Sequence, residues 1–179
     1  GYDVILGSAG DDVIGLNIFT GVYTVEKIDG GLGFNIITGS TSNETIDLSG
    51  TEVLNIARIE GGTGNDYITG SVGNDVIVGG ANNDNLAGGA GDDIFLINGT
   101  GDGTDNFRGD AGYDMILGSA GDDVIGMSNF TGDNTVEKID GGLGFNIITG
   151  STSNDNIDLS STEVLNIARI EGGTGNDYI

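Results

Sequence analysis

A nine-residue pattern, repeated four times without a break, constrains this chain more than any other feature. Residues 61–96 divide into GGTGNDYIT, GSVGNDVIV, GGANNDNLA and GGAGDDIFL. With the positions of each unit numbered as places 1 to 9, glycine stands at place 1, Asp at place 6 and a large apolar residue at place 8. A strict short period of this kind indicates a solenoid, in which each unit supplies one piece of a continuous coil.

The last three places of each unit predict a very short strand, because β-branched and aromatic residues suit a sheet surface. The side chain at place 8 is expected to point inward, so that Ile68, Ile77, Leu86 and Phe95 stack as a thin core. With each unit forming half a turn, the pattern predicts an all-β fold. We expect a flattened, right-handed parallel β-roll, a β-helix-type solenoid two units wide.

The turn at places 1 to 6 has the composition of a calcium loop. Its glycines let the backbone fold tightly, so that carbonyl oxygens can approach an ion, and Asp at place 6 adds a carboxylate. Calcium takes roughly six to eight oxygen ligands, which one turn cannot supply but two stacked turns can. Magnesium is less suited to such a cage, and the chain contains no His or Cys for a transition metal.

The predicted ligands follow directly from the register. The strongest candidates are the place-6 aspartates of the regular units: Asp66, Asp75, Asp84, Asp93, Asp105, Asp114 and Asp123. Further aspartates at the same place are Asp3, Asp12, Asp155 and Asp177. The glycines expected to shape the loops are Gly61, Gly62, Gly64, Gly70, Gly73, Gly79, Gly88, Gly91, Gly101, Gly103, Gly109, Gly112, Gly118 and Gly121. The alternative, local turns in which Asn and Asp bind their own backbone, accounts for place 5 but not for the fixed Asp at place 6.

This pattern resembles the nonapeptide of the repeats-in-toxin (RTX) family, and the resemblance covers most of the chain. It implies a calcium-loaded parallel β-roll, secretion through a type I export channel and folding outside the cell. It does not imply one activity, because the repeat occurs in toxins, proteases, lipases, epimerases, adhesins and surface-layer proteins.

The composition predicts that folding depends on cations. The 179 residues include 28 acidic and 5 basic residues, a formal charge of −23, together with 36 glycines. Such a chain repels itself, and its glycines are costly to order. Cysteine is absent, so calcium would take the stabilising role that disulfides have in other secreted proteins. We therefore expect a chain that is unfolded alone and folded when calcium neutralises it.

Two segments interrupt the register. Residues 16–29 lack a glycine doublet and predict one longer strand in an enlarged half-turn. Residues 48–60 contain Ser49 and Glu52 in the spacing of a helix start, but their neighbours are strand units, and a strand is favoured. Arg58 and Glu60 are expected to pair at the surface, where an ion pair contributes little.

Other units keep the shape of the pattern but change its ligand. Units 30–38 and 39–47 carry Asn35 and Glu44 at place 6, which predicts weak or empty calcium sites. A three-residue insertion at 97–99 precedes unit 100–108, which lacks its first glycine.

The chain repeats itself at an offset of 111 residues, with 59 identities in 68 between residues 112–179 and residues 1–68. This predicts a first copy at 1–111 and a partial second copy at 112–179 in one continuous solenoid. Both ends fall inside a nonapeptide, so we expect a fragment of a longer array.

The differences between the two copies are informative. Those at 16–18 and 22–23 indicate an exposed surface that tolerates substitution, and Asp155 restores the ligand replaced by Glu44. Whether successive copies lie on the same edge of the roll depends on how many half-turns the irregular segments span.

These features favour a non-enzymatic role in a large secreted or cell-surface bacterial protein: a calcium-binding structural array, such as an adhesin stalk, surface-layer component or extracellular fibre. The alternative is a C-terminal secretion and folding module of a type I-secreted enzyme or toxin. A third, weaker hypothesis is a carbohydrate- or ice-binding face. The expected partners are calcium ions and neighbouring copies of the same protein.

Other function classes are disfavoured by the sequence. The negative charge opposes nucleic-acid binding, and no segment is apolar and long enough for membrane insertion. The paired carboxylates recur every nine residues, whereas an active site is expected to be singular.

Overall fold

The computed structural model describes residues 1–20 and 25–179, which form a parallel β-solenoid. All strand pairs in these residues are parallel. The long sheet has eight strands, one from each passage of the coil, which corresponds to about seven turns. Its strands, in spatial order, are β2 (Val13–Gly15), β5 (Ile36–Thr38), β8 (Arg58–Thr63), β10 (Val76–Ala81), β12 (Ile94–Leu96), β14 (Met115–Leu117), β17 (Lys138–Asp140) and β20 (Glu163–Leu165).

Shorter sheets close the other sides of the coil. The five-stranded sheet contains β13 (Asn106–Ala111), β11 (Asn85–Ala90), β9 (Tyr67–Thr69), β6 (Thr45–Asp47) and β3 (Ile18–Phe19). The first side sheet contains β1 (Val4–Leu6), β4 (Lys27–Asp29) and β7 (Glu52–Leu54). The second side sheet contains β15 (Val124–Gly126), β18 (Ile147–Thr149) and β21 (Arg169–Glu171), and a two-stranded sheet contains β16 (Asn129–Phe130) and β19 (Asn156–Ile157). A 3₁₀ turn at Gly132–Asn134 is the single helical element of the described chain, and no described helix could span a membrane.

The core is a set of columns formed by the middle residue of each strand. The predicted core residues Ile68, Ile77 and Phe95 are fully buried and Leu86 is 4% exposed, which confirms the inward place 8. Ile77 pairs in register with Ile59 on one side and Phe95 on the other. The column in the eight-stranded sheet continues along the whole coil, and the columns of the shorter sheets cover part of it. A strand therefore gains its buried surface from its neighbours along the coil.

The coil is two units wide only in its middle. There, equivalent residues such as Asp66 and Asp84 are 18 residues apart, as the nonapeptide predicts. Towards both ends a third strand enters each turn and the spacing rises to 23 residues, as between Asp12 and Asn35. The predicted all-β parallel solenoid is therefore confirmed, and the two-unit width holds in its middle. In the first copy, β4 and β7 in the irregular segments add a third side to the coil.

The described residues of the segment 16–29 form two short strands, and the prediction of one longer strand is wrong. These strands, β3 and β4, belong to different sheets, because Phe19 and Ile28 are buried on different sides of the coil. Residues 48–60 contain β7 and the start of β8, which confirms strand over helix. Arg58 and Glu60 pair as predicted.

The exposed surface predicted at 16–18 is only partly correct. Ile18 is 63% exposed, but Met127, which replaces Leu16 in the second copy, is fully buried in the core. The prediction for Val22 and Tyr23 falls outside the described residues.

Successive copies do not occupy the same sides of the coil. β2, β5 and β8 lie in the long sheet, whereas the strands equivalent to them, β15, β18 and β21, form the second side sheet. The long sheet is continued instead by β14, β17 and β20, the equivalents of the first side sheet. The second copy is therefore shifted by one side of the coil relative to the first. Equivalent surface residues of the two copies face different directions as a result.

Candidate metal centre

The place-6 side chains form a ladder along the corners of the coil. Each directs one oxygen at the backbone of the preceding turn: the N–H of Asp66 donates to Asp84 Oδ1 at 2.7 Å, and the N–H of Asp75 donates to Asp93 Oδ1 at 2.8 Å. The same bond joins Glu44 to Asp66, Asp84 to Asp105 and Asp93 to Asp114. This bond holds one oxygen of each carboxylate against the preceding turn, and all of these carboxylates are buried.

A second, exposed ladder runs through place 5. The N–H of Tyr113 donates to Asp92 Oδ1 at 2.9 Å, and the N–H of Asn83 donates to Asn65 Oδ1 at 3.2 Å. These bonds join backbone and side chain one turn apart and give Oδ1 at place 5 a hydrogen-bond partner. Local turns of the Asx type do occur in the described residues, but at place 9, as in Asp29 and Asp47.

The second oxygen of four place-6 aspartates is buried and has no hydrogen-bond partner in the structure. These atoms are Oδ2 of Asp66, Asp84, Asp93 and Asp114. A buried carboxylate oxygen without a donor is strongly unfavourable unless a cation or proton balances it. These four unpartnered oxygens therefore indicate a bound cation, and this argument does not depend on the sequence pattern.

Carbonyl oxygens converge on the same positions. A methyl group added to Gly61 would lie 2.4 Å from both Asp66 Oδ2 and the carbonyl oxygen of Gly79, one turn further along. At Gly88 the corresponding atoms are Asp93 Oδ2 at 2.2 Å and the Gly109 oxygen at 2.8 Å. Carboxylate and carbonyl oxygens from adjacent turns thus line one cradle, which is the ligand chemistry that a hard cation prefers. No cluster of three or more His, Cys, Asp or Glu side chains suited to a metal occurs in the described residues, so backbone oxygens are essential to such a site.

The residue at place 2 divides the turns into two kinds. In three glycine turns of the middle of the chain, place 2 is left-handed, with φ of 108° at Gly62, 102° at Gly80 and 105° at Gly89, whereas Gly101 at place 2 of unit 100–108 is not left-handed. In the serine turns, place 2 is Ser8, Ser40, Ser71, Ser119 or Ser151, and none of them is left-handed. Ser71 illustrates the result, because its N–H and Oγ–H both donate to Asp75 Oδ2, at 2.6 and 2.9 Å. The unpartnered carboxylates belong only to turns whose place-2 residue is left-handed, including Asp110 with φ of 71°.

The predicted site residues divide accordingly. Asp66, Asp84, Asp93 and Asp114 have the unpartnered oxygen, whereas Asp12, Asp75, Asp123 and Asp155 are hydrogen-bonded by serine. Asp105 is buried in the ladder, Asp177 binds the N–H of Asp155, and Asp3 is exposed. Gly73 and Gly121 are not left-handed, and nothing lies within 4 Å of a methyl group placed on Gly101.

Two place-6 carboxylates in the irregular segments escaped the sequence analysis. Glu26 Oε2 accepts the N–H of Asp3 at 2.7 Å, and Glu137 Oε2 accepts the N–H of Asp114 at 2.7 Å. Both precede the tripeptide Lys-Ile-Asp and a glycine doublet, which are places 7 to 9 and the start of the next unit. Counting back four residues from the first glycine of the doublet therefore identifies Glu26 and Glu137 as place-6 residues.

Burial changes the acidity of the place-6 carboxyls. Desolvation raises the pKa of Asp84 and Asp93 to about 7 and that of Asp105 to about 8, and neighbouring carboxylates add to each increase. Burial also raises the pKa of Asp66, Asp75 and Asp114. The corners therefore disfavour negative charge in the absence of a cation.

The calcium-free chain is expected to gain β-structure as the pH falls from about 8 to about 4. These carboxyls have a higher pKa in the folded chain than the usual 3.8, so folding takes up protons. Their contribution to stability is fully present below pH of about 4 and is lost as the pH rises through about 7 to 8. Circular dichroism of the metal-free chain across this range measures the effect. A calcium-free chain that is equally or more structured at pH 8 would contradict the assignment.

Comparison with known proteins agrees with this geometry. The family model described as the RTX calcium-binding nonapeptide repeat (4 copies) matches residues 1–16, 20–50, 59–95, 99–126, 131–161 and 169–179. A search of curated proteins gave no significant match. The matched residues cover most of the chain, and the chain therefore belongs to the family of RTX calcium-binding nonapeptide repeats.

Proposed function

We propose that this chain binds calcium between successive turns and that the bound ions hold the coil together. The observation that carries the proposal is the set of buried, unpartnered Oδ2 atoms of Asp66, Asp84, Asp93 and Asp114. These carboxylates, with place-1 carbonyl oxygens such as that of Gly79, would hold the ions. Bound calcium supplies the positive charge that balances buried carboxylates and joins oxygens of adjacent turns.

The remaining place-6 residues contribute less directly. Asp12, Asp75, Asp123 and Asp155 already accept hydrogen bonds from serine, so an ion there competes with an existing partner. Asp105 lies in the same ladder as Asp84, and its raised pKa favours a balancing cation as well. We therefore assign the tightest sites to the turns of Asp66, Asp84, Asp93 and Asp114 in the middle of the chain.

Replacing Asp93 with Asn is expected to remove one tight calcium site. The substitution deletes the charge of a buried, unpartnered carboxylate, whereas its neighbour Asp92 is exposed and binds the N–H of Tyr113. Asp92→Asn makes the same chemical change one residue away and should leave the stoichiometry unaltered. Isothermal titration of calcium into each chain measures the difference. Equal stoichiometry in the two variants would contradict the site assignment.

The biological role we propose is a structural array in a large secreted or cell-surface protein, with no catalytic activity of its own. The copies join without interruption, because β12 of the first copy pairs with β14 of the second in the long sheet. Calcium, scarce in the cytosol and abundant outside the cell, would then rigidify the array after export. Small-angle scattering of chains with one, two and four copies tests this. A particle length that grows with each added copy in calcium supports a rod, and compact particles of constant length would contradict it.

A further inference from the structure

The turns that contain Asn35 and Asn146 have the backbone of a calcium turn but a different side chain. Their place-2 residues, Gly31 and Gly142, are left-handed with φ of 78° and 73°, as in the turns with unpartnered aspartates. The side chains of Asn35 and Asn146 are fully buried at place 6. Neither belongs to the serine turns, so the side-chain amide itself must complete the corner.

The amide oxygen of each Asn takes the ladder position of an aspartate Oδ1. Asn35 Oδ1 accepts the N–H of Asp12 at 2.9 Å, and Asn146 Oδ1 accepts the N–H of Asp123 at 2.9 Å. The same bond at Asp66 measures 2.8 Å, from the N–H of Glu44. This contact fixes which end of the amide faces the next turn.

The amide nitrogen Nδ2 of each Asn occupies the position that the unpartnered Oδ2 has in the aspartate turns. Asn35 Nδ2 donates to the carbonyl oxygens of Asn55 at 3.0 Å and Leu32 at 3.4 Å, and thus joins the next turn to its own. Asn146 Nδ2 repeats both contacts, to Asn166 at 3.1 Å and Leu143 at 3.3 Å. A methyl group on Gly30 would lie 2.4 Å from the Asn55 oxygen and 2.7 Å from Asn35 Nδ2, which matches the convergence at Gly61.

We infer that the Asn35 and Asn146 amides replace calcium in their turns. Each –NH₂ group directs two N–H donors at carbonyl oxygens that would otherwise require a cation, and it leaves no charge to be balanced. The corner is thereby closed without calcium. A carboxylate at the same place would face these carbonyl oxygens and need an ion between them. This inference rests on the proposed calcium function and specifies which turns do not use it.

The consequence is that each copy of the 111-residue unit combines two kinds of corner. Corners built on Asp66, Asp84, Asp93 and Asp114 depend on calcium, whereas the corner at Asn35 and its equivalent at Asn146 are held by neutral hydrogen bonds. These amide corners lie in the three-sided parts of the coil, next to the irregular segments. They keep the three-sided parts closed at calcium concentrations at which the aspartate corners are empty.

The most direct test is to create a calcium site by replacing each Asn with Asp. Asn35→Asp and Asn146→Asp are each expected to add one calcium ion per chain, and the double variant two. Asn154→Asp is the matched control, because it adds the same charge at an exposed place-5 residue whose side-chain oxygen only accepts the N–H of Asn176. Isothermal titration of calcium into the 179-residue chain and its variants gives the stoichiometry, and circular dichroism in calcium checks that each variant folds.

The outcomes separate this inference from the proposed function. A wild-type chain that binds calcium, loses one ion in Asp93→Asn and gains one in either Asn→Asp variant supports both. If the wild-type chain binds calcium but neither variant gains an ion, or the Asn154→Asp control gains as many, the replacement by amides is wrong. A wild-type chain that binds no calcium overturns the proposed function itself.

Discussion

Withdrawal of calcium at neutral pH is expected to unfold most of this chain. Four buried carboxylate oxygens then have no partner, and the formal charge of −23 is no longer reduced by bound ions. For extracellular sites with dissociation constants of about 0.1 to 1 mM, each ion at about 1 mM calcium contributes roughly 0.4–1.4 kcal/mol. Four such sites give about 2–6 kcal/mol, which approaches the whole stability of an ordinary domain.

Far-ultraviolet circular dichroism in calcium and in chelator measures this effect. Two controls isolate the ion: magnesium at the same concentration, and sodium chloride at an ionic strength that screens the charge to the same extent. We expect β-structure to return with calcium and not with either control. Recovery in sodium chloride alone would mean that charge repulsion, and not a specific ion, governs folding.

Substituting alanine for Gly112 is expected to destabilise the calcium-loaded coil by about 3 kcal/mol or more. Gly112 is left-handed with φ of 147°, and a methyl group there would lie 1.9 Å from the carbonyl oxygen of Gly91 in the adjacent turn. The obstacle is backbone, which cannot rotate away as a side chain can. The two turns would have to separate, and the cradle at Asp93 would open with them.

Gly73→Ala provides the matched control, since Gly73 occupies the same place in a serine turn of the same stack. Its φ is not left-handed, and the nearest atom to an added methyl group is Ser71 Oγ at 3.7 Å. Alanine there should change the free energy of unfolding by less than about 1 kcal/mol. Thermal or chemical denaturation in saturating calcium compares the variants. Equal losses in both variants would show that the close approach of stacked turns at Gly112 does not limit the stability of the coil.

The regular part of the fold is predictable from sequence because the residue at a given place has the same structural role in every unit. Ile68, Ile77 and Phe95 are buried at place 8 as the period predicts, and the family match agrees with the resemblance that the repeat suggested. The prediction fails where the period does. The alternating apolar residues of the segment 16–29 predict one strand, but β3 and β4 belong to different sheets, and no glycine doublet lies between them in the sequence.

The sites are less predictable, because their chemistry depends on contacts between turns. Asp75 and Asp93 hold the same place and look equivalent in the sequence, yet Ser71 donates to Asp75 and nothing donates to Asp93 Oδ2. The change from Gly to Ser at place 2 is visible, but its effect requires the backbone conformation. The weak site predicted at Asn35 remains a prediction, now with a physical reason in the contacts of its amide.

The most direct test of the central claim is an anomalous difference map from crystals grown in calcium. The claim is that ions between adjacent turns supply the cohesion of this acidic coil. It predicts calcium peaks beside Oδ2 of Asp66, Asp84, Asp93 and Asp114, and none beside the Asn35 and Asn146 amides. Ordered turns at these aspartates without calcium peaks would contradict it.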